Sequence, residues 1–359
     1  MYGVRAMVGP RYVIGLVGLG LGLGAGCGSS PSVPSVPEPA ASPAPRATPA
    51  GRVVRLPGAP EGIVADPKTG LVAVGLRGRT LSSRRDDVVA LLDGRTGRIK
   101  RRVHVSAAPR HLQLAGPGGP VLAPTEDGNA LQQISLPGGR VTTTRVGREP
   151  HDATAAVGRL FVGDELADTV SVIEKGKELR RIPAPVQPGG LAGTARGAVG
   201  VVGVRGRQFE VFDGRSLRPV GRIGAGVGPT HVVAEPEGCF YIADTQGDAV
   251  LLVHLSPKLE QYRRINVPGT PYGIAIDPNR DRLWVTQTRL NQMVEYAVNG
   301  RRPKLLRTLP TVRQPNTVAV NTTTGRVYVT GRADQLQILD PPKGEARRAV
   351  PDDAAMRCR

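Results

Sequence analysis

The chain has 359 residues, of which 40% are hydrophobic and only 3% aromatic, and it carries a formal net charge of +18. That length can bury one large core or two smaller ones, and so few aromatics exclude an interior packed on large rings. Abundant Val, Gly and Pro imply small branched side chains in short strands separated by frequent turns, which points to the all-β class.

In chain order, Arg5 and Arg11 precede an apolar, glycine-rich run from Tyr12 to Ala25 that is short for a bilayer span, so residues 1–26 read as an export signal. An uncleaved anchor helix is the alternative, weakened by the glycines. The glycines of GLGLGLGAG (18–26) mimic a nucleotide-binding turn but lack a surrounding βαβ unit. The stretch AGCGSS (25–30) resembles a bacterial lipoprotein signal, in which small residues precede a cysteine that is acylated as the signal is removed. That resemblance implies lipidation of Cys27 and attachment to the outer face of the cytoplasmic membrane. Residues 27–50 are rich in Pro, Ser and Ala and read as an extended polyproline linker without a core of its own.

Beyond the linker, one phrase recurs. GAPEGIVADPKTGLVAV (58–74), GREPHDATAAVGRLFVG (147–163) and PGTPYGIAIDPNRDRLWVT (268–286) are three of seven copies. Their anchor prolines, Pro60, Pro109, Pro150, Pro188, Pro229, Pro271 and Pro315, recur about every 42 residues, the length of one propeller blade. Each copy predicts a short strand after the proline, a turn, and a second strand. A third strand follows, ending near an acid as in VVALLD (88–93) or VSVIE (170–174), and then an arginine-rich fourth such as YRRINV (262–267). The expected fold is therefore a seven-bladed β-propeller with four-stranded antiparallel blades over 51–342, followed by a tail, 343–359. RVVRLPGAP (52–60) matches YRRINVPGTP (262–271), so the first strand is expected to complete the last blade beside LQILD (336–340). ARRAV (346–350) is the competing candidate.

Arginines on outermost strands protect an unpaired edge, which accounts for much of the charge; anionic headgroups or wall polymers are the alternative electrostatic partners. No groove-reading motif is visible, so nucleic acid is not expected. GRLFVGDELADTVSVIE (158–174) and TTGRVYVTGRADQLQILD (323–340) resemble the YVTN repeat of YncE-like surface and periplasmic propellers, a group also similar to streptogramin lyases. The resemblance implies the fold and an envelope location. It leaves function open, because this fold serves unrelated activities.

Asp277, Asn279 and Asp281 begin like a calcium loop, but Arg282 and Thr288 stand where glycine and an acid are required, so a hairpin turn is expected. Trp284 reads as core, while His104 and His254 read as structural or solvated. Cys239 and Cys358 are free to pair outside the cytoplasm. His111, His151 and His231 follow anchor prolines and so lie near the inner-strand ends that converge on a central channel. His151 stands one place after its proline, His111 and His231 two places after, and strand alternation sends such positions to opposite faces. On that ground a three-histidine metal site is not expected, and no cofactor is predicted. The expected ligand site is a polar rim of Glu61, Arg110, His111, His151, Asp152, Thr230, His231, Tyr272 and Asn316. The similarity to the lyases, which open a cyclic depsipeptide, makes His151 and Asp164 the matching catalytic pair. The leading expectation is a lipid-anchored module that binds a ligand or envelope protein, with a lyase-like enzyme and a structural protein holding anionic polymers as rivals.

Overall fold

The computed structural model describes residues 40–78, 87–300 and 302–342. They form seven four-stranded antiparallel sheets arranged as the repeat requires. The innermost strands are Ala59–Ala65, Gln113–Leu114, Pro150–Ala156, Pro188–Gly193, Pro229–Ala234, Pro271–Asp277 and Pro315–Asn321, in the first to seventh blades. In six blades each runs on from its anchor proline, while Pro109 of the second blade makes an isolated bridge to Thr125. The seventh blade is closed by the first described strand, Arg52–Arg55, which pairs antiparallel with Gln335–Leu339 from Arg52↔Ile338 to Arg55↔Gln335. The closure read from the sequence is therefore the observed one; ARRAV (346–350) lies outside the described residues.

The core is divided among the blade interfaces. Seven apolar clusters are found among the described residues, one between each pair of neighbouring blades. The closing interface packs Leu56, Ile63 and Val74 against Tyr328 and Ile338. Between the fourth and fifth blades Phe209 and Phe240 meet edge to face, 5.1 Å between ring centres, a geometry worth about 1 kcal/mol beyond burial. Trp284 is buried, as expected, with the Arg307 guanidinium 5.4 Å from its ring centre. Asp277 and Arg282 flank a hairpin turn in which Asp277 accepts from the Asn279 amide and Arg280, so no calcium loop forms.

Polar latches repeat around the ring. Asn129, Asp168, Asp248 and Asn291 adopt left-handed backbone just before third strands, and their side chains accept the amides of Glu149, Gln187, Thr270 and Gln314 in the next blade. Each accepted amide directly precedes an anchor proline and is itself left-handed, with φ between 51° and 60°. A non-glycine residue held there costs about 1–3 kcal/mol, so the latches hold strained backbone around one face of the ring.

Part of the proline-rich segment is docked. Ser42 is buried and its carbonyl accepts from Arg313, while Asn291 donates to the Pro43 carbonyl at 2.9 Å. Ala50 is held by Pro310 and Gln337. Ser42, Pro43 and Ala50, within the linker read from the sequence over 27–50, are thus bonded to the sixth and seventh blades. Cys239 is buried and in disulfide linkage; Cys27 and Cys358 lie outside the described residues. No helix among the described residues is long and apolar enough to cross a membrane.

Candidate functional site at the channel mouth

The inner strands leave a cavity of about 290 Å³ along the axis, contributed to by all seven blades. Its walls are largely aliphatic, with Leu112, Leu114, Leu191, Val232, Ile274 and Val318 among them, and its polar end carries His111, His231, Asp152 and Gln113.

The three histidines meet at that end. Nε2 of His111, from the second blade, lies 3.0 Å from Nε2 of His231, from the fifth, and the rings of His111 and His151 are 4.8 Å apart. Strand alternation had argued against this meeting. A bulge overturns it: the inner ladders of the first and third to seventh blades lose register immediately after the anchor proline, as between Pro150 and Asp152 and between Pro229 and Val232. Two residues then oppose one, alternation is interrupted, and side chains one and two places after a proline can both approach the axis. Glycine at the second place in other blades draws the strands close. A Cβ on Gly190 would lie 2.7 Å from the Thr230 carbonyl and 3.1 Å from His231 Cα; one on Gly62 would lie 2.5 Å from the Arg110 carbonyl.

Electrostatics divide the cluster. His151 Nδ1 lies 3.1 Å from Glu126 and 3.0 Å from Glu165; burial opposes its charge, but these hydrogen bonds prevail and lift its pKa to about 9. Glu165 responds in the opposite sense. Burial would raise it, yet His151 and Gln187 hold it at about 2. His231 is lowered to about 3, by burial first and by the charge on His151 second, and His111 is lowered well below its usual value by burial first, then by His231 and His151. His231 Nδ1 is 2.9 Å from the Tyr272 carbonyl, so in the neutral ring it carries the proton and Nε2 presents a lone pair.

Around this centre runs a charged belt. Arg110 bridges Glu126 at 3.0 Å and Glu61 at 3.8 Å, and Arg77 reaches Glu61 at 3.4 Å. Of the expected rim, Glu61 and Arg110 belong to the belt and His111, His151 and His231 to the centre. The other four are buried around that centre. Asp152 is buried beneath as a tie, accepting from Gln113 of the second blade and the Leu191 amide of the fourth, with burial raising its pKa to about 6. Thr230 is buried against Thr245, Tyr272 stands edge-on to His231, and Asn316 is buried with its Oδ1 lacking a hydrogen-bond partner among the described residues.

Asp164 is not the carboxylate beside His151. It is buried at the end of its strand, where it accepts from the Gly147 amide, Thr169 and Ser171, tying the incoming loop to its blade. The next residue, Glu165, holds the histidine, and Glu126 occupies the equivalent place after Thr125 in the second blade. Neither glutamate was expected from the sequence. Of the two remaining histidines, His104 lies on an outer strand and His254 packs its ring 5.3 Å from Tyr262.

No family model and no curated relative matches the sequence. Solved structures match in fold. A streptogramin B lyase is similar at a TM-score of 0.66 and 13% identity, covering 82% of this chain and 97% of its own. The virginiamycin B lyase of Staphylococcus aureus gives the same TM-score and identity, with 81% and 99% covered. A chain of Kuenenia stuttgartiensis hydrazine synthase gives 0.62 and 15%, with 80% and 97% covered. At these identities the likeness is one of architecture, and the chain is a seven-bladed β-propeller with streptogramin B lyase among its structural neighbours.

Proposed function

We propose that the protein is a binding module whose site is the histidine-bearing mouth of the central channel. The observation that carries this reading is the convergence of His111, His151 and His231, from three blades, over an apolar cavity. A concave apolar site with a few converging polar groups is the general form of a ligand pocket. Three carboxylates, Glu61, Glu126 and Glu165, are paired there with Arg77, Arg110 and His151, so this mouth offers paired charges rather than the basic patch an anionic polymer would need. The lyase reading draws on the structural neighbours, but a base must be unprotonated, and His151 is held as its conjugate acid at neutral pH.

Soaking crystals with a library of small polar fragments tests the site. Fragments are expected between Arg110 and His151; a library that decorates other surfaces and leaves the mouth empty overturns the reading. In parallel, wild-type protein is expected not to open streptogramin B. Turnover that disappears in His151→Ala would replace the binding module by an enzyme.

Export and lipid anchoring belong to the same proposal and rest on the sequence around Cys27, outside the described residues. In the native host the protein is expected in the membrane fraction with a diacylglyceryl mass on Cys27, and Cys27→Ala is expected to lose that modification. An unmodified Cys27 on soluble protein refutes the anchor.

A further inference from the structure

Resting on that reading of the mouth, we infer that His111, His151 and His231 form a binding site for one late first-row transition-metal dication of the zinc class, with one coordination position left open. One nitrogen from each of the three rings lies within 4.8 Å of the other two. Two nitrogens at 2.0–2.1 Å from a tetrahedral zinc are separated by about 3.3 Å. The Nε2 atoms of His111 and His231 are 3.0 Å apart, so an ion entering between them needs them to part by only a few tenths of an ångström.

The outer contacts have the form that metal-binding imidazoles require. A ligating histidine normally donates its second N–H to a carbonyl or carboxylate, which fixes the tautomer and aims the free nitrogen. His231 is held this way by the Tyr272 carbonyl, and His151 by Glu126 and Glu165. With Nδ1 of both rings so engaged, Nε2 is the nitrogen left for an ion, which at His151 takes the place of the Nε2 proton as it binds. A second convergence, of Glu126, His151 and Glu165, uses the already occupied Nδ1 of His151 and leaves the His111–His231 contact across the axis without a role.

Donor type selects the ion. Imidazole nitrogen suits Zn²⁺, Cu²⁺, Ni²⁺ and Co²⁺, whereas Mg²⁺ and Ca²⁺ require oxygen ligands. His111 and His231 also line the axial cavity, so a fourth ligand, water or a donor atom of a bound molecule, has space to reach the ion. Three protein ligands and one exchangeable position is the arrangement of an open zinc site rather than a closed structural one.

The test uses the chelator-treated protein and zinc itself. Titration calorimetry is expected to give one Zn²⁺ per chain, unaffected by excess Mg²⁺, and Co²⁺ is expected to produce the visible bands of a tetrahedral nitrogen site. His111→Ala and His231→Ala are expected to weaken binding at least about 100-fold. Glu165→Gln, which keeps the side-chain shape but weakens the hold on His151, is expected to weaken it about 10- to 100-fold. His254→Ala, remote from the mouth, is expected to leave it unchanged, and circular dichroism checks that each variant is folded. Absence of saturable binding, or binding that persists in folded His111→Ala and His231→Ala, overturns the inference. If zinc fails while fragments still occupy the mouth, the metal falls and the binding reading stands; if zinc binds and fragments do not, the reverse holds.

Discussion

Deletion of residues 51–57 is expected to lower the thermal midpoint by about 10 °C or more and to broaden the transition, because it removes the strand that closes the ring. The loss has three parts. Four ladder positions against Gln335–Leu339 disappear, each hydrogen bond worth about 1 kcal/mol net. Leu56, 2% exposed, leaves the interface between the seventh and first blades, at about 2–3 kcal/mol. Leu336 and Ile338 lose cover, and their strand becomes an open edge available to other chains. About 5 kcal/mol or more, at roughly 2 °C per kcal/mol for a domain of this size, gives the stated shift. Calorimetry of the deleted and full chains decides it. An unchanged midpoint would mean that another segment supplies the closing strand.

Gly190→Ala is expected to cost about 1–3 kcal/mol and to loosen the histidine centre without touching a histidine. The new Cβ would lie 2.7 Å from the Thr230 carbonyl, and backbone on both sides must move to admit it, the usual consequence of overfilling a packed interior. Because His231 Cα is only 3.1 Å from the same Cβ, the movement is directed at the strand that carries His231. The measurable outcomes are a lower denaturant midpoint and a longer His111–His231 separation in a crystal structure. A variant with unaltered stability and the same 3.0 Å contact would show that the blades have slack there, and that glycine is not what draws them together.

The fold was legible because its signals are local. A proline before each inner strand, an acid closing the third and arginines on the fourth set period, register and edge without any long-range information. The closing strand was legible for the same reason, since RVVRL repeats the fourth-strand pattern. The site was only half legible. Arg110, His111, His151 and His231 could be found by their place after a proline, but their meeting depends on a bulge, and the alternation rule used to place them holds only for unbroken ladders. The lyase resemblance points to Asp164 as the acid just beyond the second strand, but Asp164 still belongs to that strand. The ladder ends at Pro150↔Asp164, and the residue that reaches the axis is the next one. A signal for this exists: Glu126 and Glu165 each follow the residue opposite an anchor proline. The left-handed Asn or Asp before the third strand is equally regular, at Asn129, Asp168, Asp248 and Asn291. Burial of Asp152 could not be read at all, since it depends on Gln113 and the Leu191 amide arriving from two other blades.

The closing strand also fixes the order in which the molecule can be completed. Arg52–Arg55 is the first described strand, yet its ladder partner among the described residues is Gln335–Leu339, so it waits for almost the whole propeller to be synthesised. Joining ends so far apart carries a loop-closure cost in a single unformed chain, but that cost falls once the intervening blades have folded and brought the ends together. Ring closure is then a late step, made on a nearly finished scaffold. Until it happens, the edge of Gln335–Leu339 is open to the first strand of another copy, and a molecule that closes with its neighbour's Arg52–Arg55 would be a strand-swapped dimer.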